Sequence, residues 1–450
     1  MELDLGTLMQ RSDEIWEESI LPSLSELIGI KALSPLFEPN WSEIGELDAA
    51  IHLFRDWLDE QKIAGLSREV HRIADLSPVL IVTIEGTGPG EVIFYSHLDK
   101  QPSTPELWSE GLHPLKAVRR DPWLYGRGSV DDGYGGYLCA TSIRLLQEAG
   151  IPHPRCIMII ETCEESGSFD LPPYLHELTD HLGNPDMIVV MDSGGPDYDH
   201  VWMTEALRGL VSGTLSVKVS HEGIHSGNSG GSVPSSFRIQ RILLDRVEDS
   251  TTGRILIPEM HVDISEEVRQ KAESLEKIVG DSIWKQFPTV DNLRQVSEST
   301  EDMIISMNWE PTLSIIGADG IPSVQDAGNV LRTNTDLKLS FRIPPGVDSQ
   351  TAISAVKSIL EENPPYGSEV SFTPDSAADG FRAPPLSETI SDAIHDASNQ
   401  LTGLPPLAIW TGGTIPFMAM MQAKYPEAMF LCTGSSGPGN NAHGPDEKLH

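Results

Sequence analysis

Three glutamates follow a predicted buried strand. The apolar run 156–160 has the short, branched character of a strand, and Glu161, Glu164 and Glu165 come after it, before a Ser-Gly turn. Open α/β sheets keep their active sites at the carboxyl ends of their strands. On a loop there, Glu164 and Glu165 can face in different directions, one towards a metal ion and one towards a substrate water. A solvated acidic turn is the other explanation of these residues.

Other predicted strand ends carry side chains of the same kind. These are His97 and Asp99 after one apolar run, Asp131 in a glycine-rich turn, Asp192 after another run, and the late His443. Two histidines and several carboxylates form a ligand set that suits Zn²⁺, Mn²⁺ or Co²⁺ better than copper. Each residue alone has an ordinary explanation, such as a turn preference or a helix cap. Their recurrence at successive strand ends favours a metal site.

The composition of this ligand set indicates hydrolysis. One carboxylate shared between two ions, with a histidine and a carboxylate for each, would fill a two-metal site about 3.5–4 Å across. Such a site lowers the pKa of a bridging water towards ~7 and polarises a carbonyl group. A further carboxylate nearby can then serve as the general base.

The overall charge excludes several classes of partner. The 450 residues include 31 basic and 67 acidic side chains, which gives a net charge of −36. Such a chain repels nucleic acid and anionic membranes. Its four cysteines form neither a disulfide framework nor a CxxC metal pair. With neither a signal-peptide pattern nor an apolar run of ~20 residues, we expect a cytoplasmic protein with reduced thiols.

Strands and helices alternate over roughly the first 205 residues, which predicts a mostly parallel, helix-covered sheet. From about residue 208 the predicted strands alternate polar and apolar residues, as strands with one solvated face do. Buried α/β character returns near residue 386, although 409–416 is predicted as a glycine-rich turn and 248–308 has no clear pattern. We therefore predict a discontinuous catalytic α/β domain, 1–207 and 385–450, interrupted by an α+β domain, 208–384.

The chain resembles the M20 metallopeptidases and, among them, the carnosinase-like dipeptidases. The matching segments occur in the family's order and are HLDKQP (97–102), GRGSVDD (126–132), EESGS (164–168), MDSG (191–194), HSG (225–227), GGTIP (412–416) and AHGPDEKL (442–449). The resemblance covers nearly the whole chain. It implies a zinc exopeptidase-like fold in which the insertion is a lid and dimerisation domain.

The resemblance also implies a role for each ligand. Asp131 would bridge two divalent ions, zinc being favoured over Mn²⁺ or Co²⁺. His97 and Asp192 would hold one ion, and Glu165 and His443 the other.

Two further acidic residues take implied roles beside the ions. Glu164 would be the general base that takes a proton from the bridging water and passes it to the leaving amine. Asp99 would orient His97 through its second ring nitrogen, as outer partners of metal-bound histidines do.

The implied substrate contacts lie in the later half of the chain. His225 would reach the active site of a partner subunit in a homodimer and steady the oxyanion, whereas an ordinary loop is its other explanation. Arg342 and Asn329 would hold the substrate's carboxylate and carbonyl, since an arginine fork fits a carboxylate in a bidentate manner. Arg342 could instead pair with a surface acid. Gly413 and Thr414 would contact the same end of the substrate.

The sequence departs from the family pattern near the site. Tyr134 follows Asp131-Asp132-Gly133 where the family usually has Asp-Asp-Lys-Gly, Arg332 replaces a common proline, and Trp410-Thr411 replace Arg-Glu. The chain also ends soon after the AHGPDEKL segment, where the family usually continues into a helix. None of the substitutions removes a ligand, but together they bear on which substrate is bound.

The predicted activity is hydrolysis of an amide next to a free carboxylate, most favourably in a dipeptide. An N-acyl or N-carbamoyl amino acid is the alternative substrate class. A catalytically silent peptide-binding homologue is the alternative of another class, and the retained base Glu164 argues against it.

Overall fold

The computed structural model describes residues 5–287 and 289–450. Residues 1–4, the start of the predicted catalytic domain, and Pro288, in the predicted insertion, lie outside the described residues. The chain forms two compact units, which are Met1–Glu205, Ala383–Ile409 and Met420–His450 in the first and Ala206–Arg382 and Trp410–Ala419 in the second. The prediction had placed all of 385–450 in one domain. The catalytic and lid roles remain predictions.

The regular elements of the described residues are numbered in chain order. The α-helices are α1 (Leu5–Ile15), α2 (Leu21–Gly29), α3 (Trp41–Ile44), α4 (Glu46–Glu60), α5 (Gly135–Glu148), α6 (Leu171–Glu177), α7 (Thr179–Leu182), α8 (Ser226–Ser229), α9 (Ser236–Leu244), α10 (Glu266–Val279), α11 (Ser282–Lys285), α12 (Thr300–Trp309), α13 (Ser349–Glu361), α14 (Glu388–Thr402) and α15 (Pro416–Lys424). A π-helical turn, Trp16–Ile20, joins α1 to α2.

The strands complete the set of elements. They are β1 (Leu66–His71), β2 (Val79–Ile84), β3 (Glu91–His97), β4 (Val118–Arg120), β5 (Trp123–Tyr125), β6 (Arg155–Glu161), β7 (Met187–Val190), β8 (Trp202–Leu207), β9 (Gly209–Lys218), β10 (Ile224–His225), β11 (Thr312–Asp319), β12 (Val330–Leu331), β13 (Asn334–Ile343), β14 (Glu369–Ala378), β15 (Phe381–Arg382), β16 (Leu407–Thr411), β17 (Met429–Cys432) and β18 (Lys448–Leu449).

A six-stranded sheet in the order β1–β2–β6–β3–β7–β17 forms the centre of the first unit. β6, β3, β7 and β17 pair in parallel, whereas β2 runs against both β1 and β6, so five of the six strands point the same way. The predicted mostly parallel sheet is confirmed. Because parallel strands end at the same edge, β3, β6 and β7 deliver their following residues to one place.

Helices α4 and α5 pack against each other through aromatic side chains in the core of the first unit. Ile51, Phe54 and Leu58 of α4, which the three-to-four spacing predicted to share one face, are all buried. The ring of Tyr137 on α5 lies 5.0 Å from that of Phe54 and 4.6 Å from that of Trp57, centroid to centroid. This packing fixes α5, and therefore the loop that precedes it.

The second unit contains a four-stranded antiparallel sheet in the order β11–β13–β9–β14. Burial alternates residue by residue along β13, as the sequence predicted for a strand with one solvated face. α9 and α13 pack on the other face, through Ile239, Leu243 and Val356 among others. β11 is an edge strand.

The sequence predictions failed at two places. The unassigned stretch 248–308 contains α10, α11 and α12, and α10 is amphipathic, with Val268, Ala272, Leu275 and Val279 buried. Its many charged residues obscured that pattern. The predicted turn at 409–416 is wrong for residues 409–411, because they end strand β16.

None of the helices in the described part of the chain combines the length and apolar character needed to cross a membrane.

Candidate metal centre

Six of the predicted site residues meet at the edge where the parallel strands end. They lie at the last position of β3 (His97), in the loop before α5 (Asp131), in the short turn after β6 (Glu164, Glu165), just beyond β7 (Asp192) and in the late loop before β18 (His443). All six belong to the first unit. The fold thus gathers side chains that are far apart in sequence.

His97 is fully buried and faces carboxylates. Its Nε2 atom lies 3.4 Å from Oδ1 of Asp131 and 3.9 Å from Oδ2 of Asp192, and it makes no hydrogen bond to any described residue. Ligand atoms of His97, Glu164 and Asp192 all lie within 4.8 Å of one another. A buried nitrogen aimed at carboxylates without a bonding partner is suited to a cation.

Asp131 also faces a second histidine. Nε2 of His443 lies 2.9 Å from Oδ2 of Asp131 and 3.1 Å from Oε2 of Glu165. His97, Asp131 and Glu165 form a second group whose ligand atoms lie within 4.8 Å of one another. Asp131 thus directs one oxygen towards each histidine, which is the arrangement that a shared ligand requires.

Asp99 fixes the turn that carries the two glutamates. Its Oδ1 accepts a hydrogen bond from the backbone N–H of Glu164 at 3.2 Å, and its Oδ2 accepts one from the N–H of Glu165 at 3.0 Å. Nδ1 of His97 lies 3.1 Å from the backbone oxygen of Asp99 and 3.5 Å from Oδ1. Asp99 therefore contacts His97 as expected, but its carboxylate mainly holds the glutamate turn, which the sequence did not indicate.

Gln101 is a site residue that the sequence reasoning missed. Its Nε2 donates a hydrogen bond of 2.9 Å to Oε2 of Glu165. Its place four residues after His97, within the HLDKQP segment, was the available signal. The bond orients the Glu165 carboxylate.

The electrostatics of the cluster call for positive charge. Burial raises the pKa of Glu164 and of Asp192 well above the usual range, and neighbouring carboxylates add to both shifts. Burial alone would also raise the pKa of Asp131, but the adjacent imidazoles of His443 and His97 lower it overall. Four carboxylates lie here beside the buried His97 and the exposed His443, and buried charges need pairing or metal coordination. The nitrogen and carboxylate donors fit zinc or a similar divalent ion.

The predicted substrate contacts all lie in the second unit, where they form two groups. In the first, Nη1 of Arg342 on β13 donates a 2.6 Å hydrogen bond to Oγ1 of Thr414, beside the exposed Gly413. In the second, His225 ends β10 with its side chain exposed, and the backbone oxygen of Asn329 accepts a bond from the neighbouring Ser226 N–H at 2.9 Å.

Arg208 lies beside Arg342 and was also missed. Its Nε donates to the backbone oxygen of Gly412 at 3.2 Å, and its Nη1 donates to Thr312 Oγ1 at 3.0 Å. Burial and the neighbouring charge of Arg342 lower the pKa of Arg208 to about 10. Neither arginine forms an ion pair with a carboxylate of the described residues. Arg208 precedes β9 in a short connection, where periodicity offers no signal.

Two departures from the family pattern have structural explanations. Tyr134 is buried, and its hydroxyl donates to Met191 O at 2.5 Å and accepts from Ser435 N–H at 2.7 Å. It therefore joins the loop of Asp192 to the segment after β17. Trp410 is buried against Trp309 at a ring distance of 5.3 Å.

Comparison with known proteins finds similar sequences and structures along most of the chain. The family model described as peptidase family M20/M25/M40 matches residues 93–450. The cysteinylglycine-S-conjugate dipeptidase of Corynebacterium striatum is 25% identical over 441 residues, which cover 96% of this chain and 91% of that protein. The Beta-Ala-His dipeptidase of Mus musculus is 26% identical over 389 residues, covering 83% and 76%. The structure of the dipeptidase Dug1p of Saccharomyces cerevisiae superposes with a TM-score of 0.80 at 21% identity, covering 100% and 95%.

Proposed function

The chain belongs to peptidase family M20/M25/M40, and from this membership we propose that it is a metal-dependent dipeptidase that cleaves the amide bond next to a free carboxylate. The observation that carries the proposal is Asp131, with one oxygen directed at each histidine and the carboxylate of Glu164 beside His97. The relatives named for dipeptidase activity support the substrate class.

We propose two divalent ions, zinc being favoured over Mn²⁺ and Co²⁺. His97, Asp131 and Asp192 would hold the first, and Asp131, Glu165 and His443 the second. When bound, such ions supply a water of lowered pKa and polarise the scissile carbonyl.

Glu164 is proposed as the general base. It takes a proton from the attacking water and delivers it to the leaving amine, a role that needs a carboxylate held beside the reacting atoms. The carboxylate of Asp99 holds the backbone N–H of Glu164, and burial raises the pKa of Glu164 well above the usual range. Asp99 is thus a positioning residue.

We propose that Arg342, Thr414 and Gly413 bind the substrate carboxylate and that Asn329 binds its carbonyl. The guanidinium of Arg342, which has no acidic partner among the described residues, supports this role. His225 would steady the oxyanion in the partner subunit of a homodimer. The segment 208–384 is proposed as the lid and dimerisation domain.

A homodimer needs an apolar contact, and the second unit offers one. Ile315 and Ile316 of the edge strand β11 are 50% and 62% exposed. A bulge between Ile315 and Gly317 makes the pairing of β11 with β13 irregular, and bulged edge strands disfavour pairing with a further strand. The side chains, rather than the backbone, would therefore make the contact. We further propose a cytoplasmic location, because all four cysteines are buried and reduced.

The proposal is tested by hydrolysis of a substrate panel. Chelator-treated protein would be assayed with Cys-Gly, β-Ala-His, Ala-Ala, N-acetyl-alanine and N-carbamoyl-alanine, with and without Zn²⁺, Mn²⁺ or Co²⁺. We expect metal-restored release of free amino acids from the dipeptides. Activity confined to the acylated or carbamoylated substrates would contradict the dipeptidase proposal. Two bound ions without any turnover would support the silent peptide-binding alternative.

A further inference from the structure

A buried ion pair links two distant segments behind the metal centre. Nη1 of Arg127 lies 2.5 Å from Oε2 of Glu447, and the two residues are 320 positions apart in the chain. Both are buried, at 3% and 0% exposure. Neither belongs to the groups of ligand atoms around His97.

Glu447 organises the loop that leads into Asp131. Its Oε1 accepts a hydrogen bond from the backbone N–H of Val130 at 3.2 Å, one residue before the shared carboxylate. Its backbone oxygen accepts one from Gly126 N–H at 3.0 Å. Both ends of the loop 126–130 are thus fastened to one glutamate.

Arg127 fastens the segment that carries His443. Its Nη2 donates a 2.9 Å hydrogen bond to the backbone oxygen of Gly444, the residue directly after His443. His443 itself has a φ of +63°, a left-handed backbone conformation that a non-glycine residue keeps only where its surroundings hold it. The guanidinium therefore helps to hold the backbone of His443 in this conformation.

These hydrogen bonds hold the two backbone segments that bear the proposed ligands Asp131 and His443. Asp131 follows the loop held by Glu447, and His443 precedes the peptide held by Arg127, while their side chains meet at 2.9 Å. A buried ion pair is weak as a source of stability, because its desolvation cost offsets most of its attraction. Its orienting effect is then the more important one.

We propose that Arg127 and Glu447 are positioning residues for the second metal ion: their pair sets the separation of Asp131 and His443, and so the affinity for the ion that these residues share with Glu165. The inference rests on the proposed two-ion function. The first ion shares Asp131, but its other two ligands, His97 and Asp192, follow β3 and β7, which the pair does not touch. Loss of the pair thus weakens binding of the second ion, which loses two positioned ligands, more than binding of the first.

The test measures zinc affinity in Glu447→Gln and Arg127→Lys. Glutamine keeps an oxygen for Val130 N–H but loses the charge, and lysine keeps the charge but loses the two-pronged donor. We expect the dissociation constant of the more weakly bound zinc ion, measured by chelator competition, to rise about 10–100-fold in both variants. Loss of residues that orient metal ligands typically has an effect of this size. The dissociation constant of the other zinc ion should rise less, and Arg127→Met should lose more affinity than Arg127→Lys.

The matched control is Glu91→Gln. Glu91 also accepts hydrogen bonds from an arginine, Arg155 Nη1 at 3.0 Å, and from a backbone N–H, that of Asn184 at 2.8 Å. It lies at the start of β3, the end opposite to His97. It should keep both zinc constants. The melting temperature of each metal-free variant, measured in chelator, reports whether the fold itself has been lost.

The outcomes separate the two proposals. If wild-type protein holds fewer than two ions, the two-ion function fails and this inference fails with it. If wild-type protein holds two ions and Glu447→Gln binds both with unchanged constants while melting earlier, the pair is merely structural and this inference alone is overturned. Equal weakening of both ions would overturn it as well.

Discussion

At the scale of single residues, the division of labour between neighbouring glutamates is set by what surrounds each one. Oε2 of Glu165 accepts a hydrogen bond from Gln101 and lies 3.1 Å from Nε2 of His443, so this oxygen faces the histidine proposed for the second ion. Glu164 makes no such contact with His443 and is raised in pKa by burial and by nearby carboxylates. The same turn can therefore supply both the proposed ligand, Glu165, and the proposed base, Glu164.

The base can be tested without disturbing the ligands. Glu164→Gln should lower kcat by about 10²–10⁴-fold, because the amide cannot accept the proton, while zinc content by atomic emission stays at the wild-type value. Glu177→Gln, on the exposed side of α6, is the control and should change neither quantity. Wild-type turnover in Glu164→Gln would contradict the mechanism.

At the scale of elements, the C-terminal end of α2 depends on a buried lysine. Nζ of Lys100 donates to the backbone oxygens of Leu27 and Ile30, each at 2.7 Å, and these lie at the end of the helix. Carbonyls there lack intrahelical partners, and a lysine supplies the missing donors. The contact ties α2 to the strand end that carries His97 and Asp99.

The cap predicts a pH dependence. Burial lowers the pKa of Lys100 from 10.5 to about 7, so between pH 7 and 10.5 the unfolded chain binds more protons than the folded one. Stability from this group therefore rises with pH across that window. Lys100→Met should lose about 1–3 kcal/mol of unfolding free energy at pH 9, because the carbonyls lose their donor. Denaturant titrations at pH 7 and 9 should show a wider gap from wild type at pH 9.

The control for this prediction is Lys357→Met, which also removes a lysine bond to a backbone oxygen, at Phe372, but on an exposed side chain. A gap between Lys100→Met and wild type that narrows with rising pH would refute the buried-cap explanation.

The sequence patterns of the individual elements also explain which parts of the fold and the site could be predicted from the sequence. β3, β6 and β7 are uninterrupted apolar runs, and their ends gave the candidate ligands directly. β16 was missed because glycines follow it immediately, and α10 because charged residues dominate its composition. The amide clamp of Asp99 and the bonds of Arg127 join residues distant in sequence, and local patterns do not contain such contacts.

At the scale of the whole molecule, the net charge of −36 governs association. Two copies of so acidic a chain repel each other, so a dimer contact must be apolar enough to overcome that repulsion. Ile316, 62% exposed on the edge strand β11, is suited to such a contact. Salt should therefore tighten the proposed dimer by screening the repulsion.

Ile316→Asp should dissociate the proposed dimer, since it adds charge to the apolar contact. The measurement is sedimentation equilibrium at about 0.1 M salt. Ile278→Asp, a 46% exposed isoleucine on α10, is the matched control and should remain dimeric. A monomeric wild-type protein would refute the dimer, and a dimeric Ile316→Asp would refute this contact.

The long sequence interval between Arg127 and Glu447 has a consequence during synthesis. Ribosomes add about 5–20 residues per second, so the glutamate is made roughly 16–64 s after the arginine to which it pairs, 320 positions earlier. During that time the six-stranded sheet also lacks β17, and the proposed second ion lacks His443. A growing chain can thus offer every proposed ligand except His443, and binding of the proposed second ion has to wait until the late segment has left the ribosome.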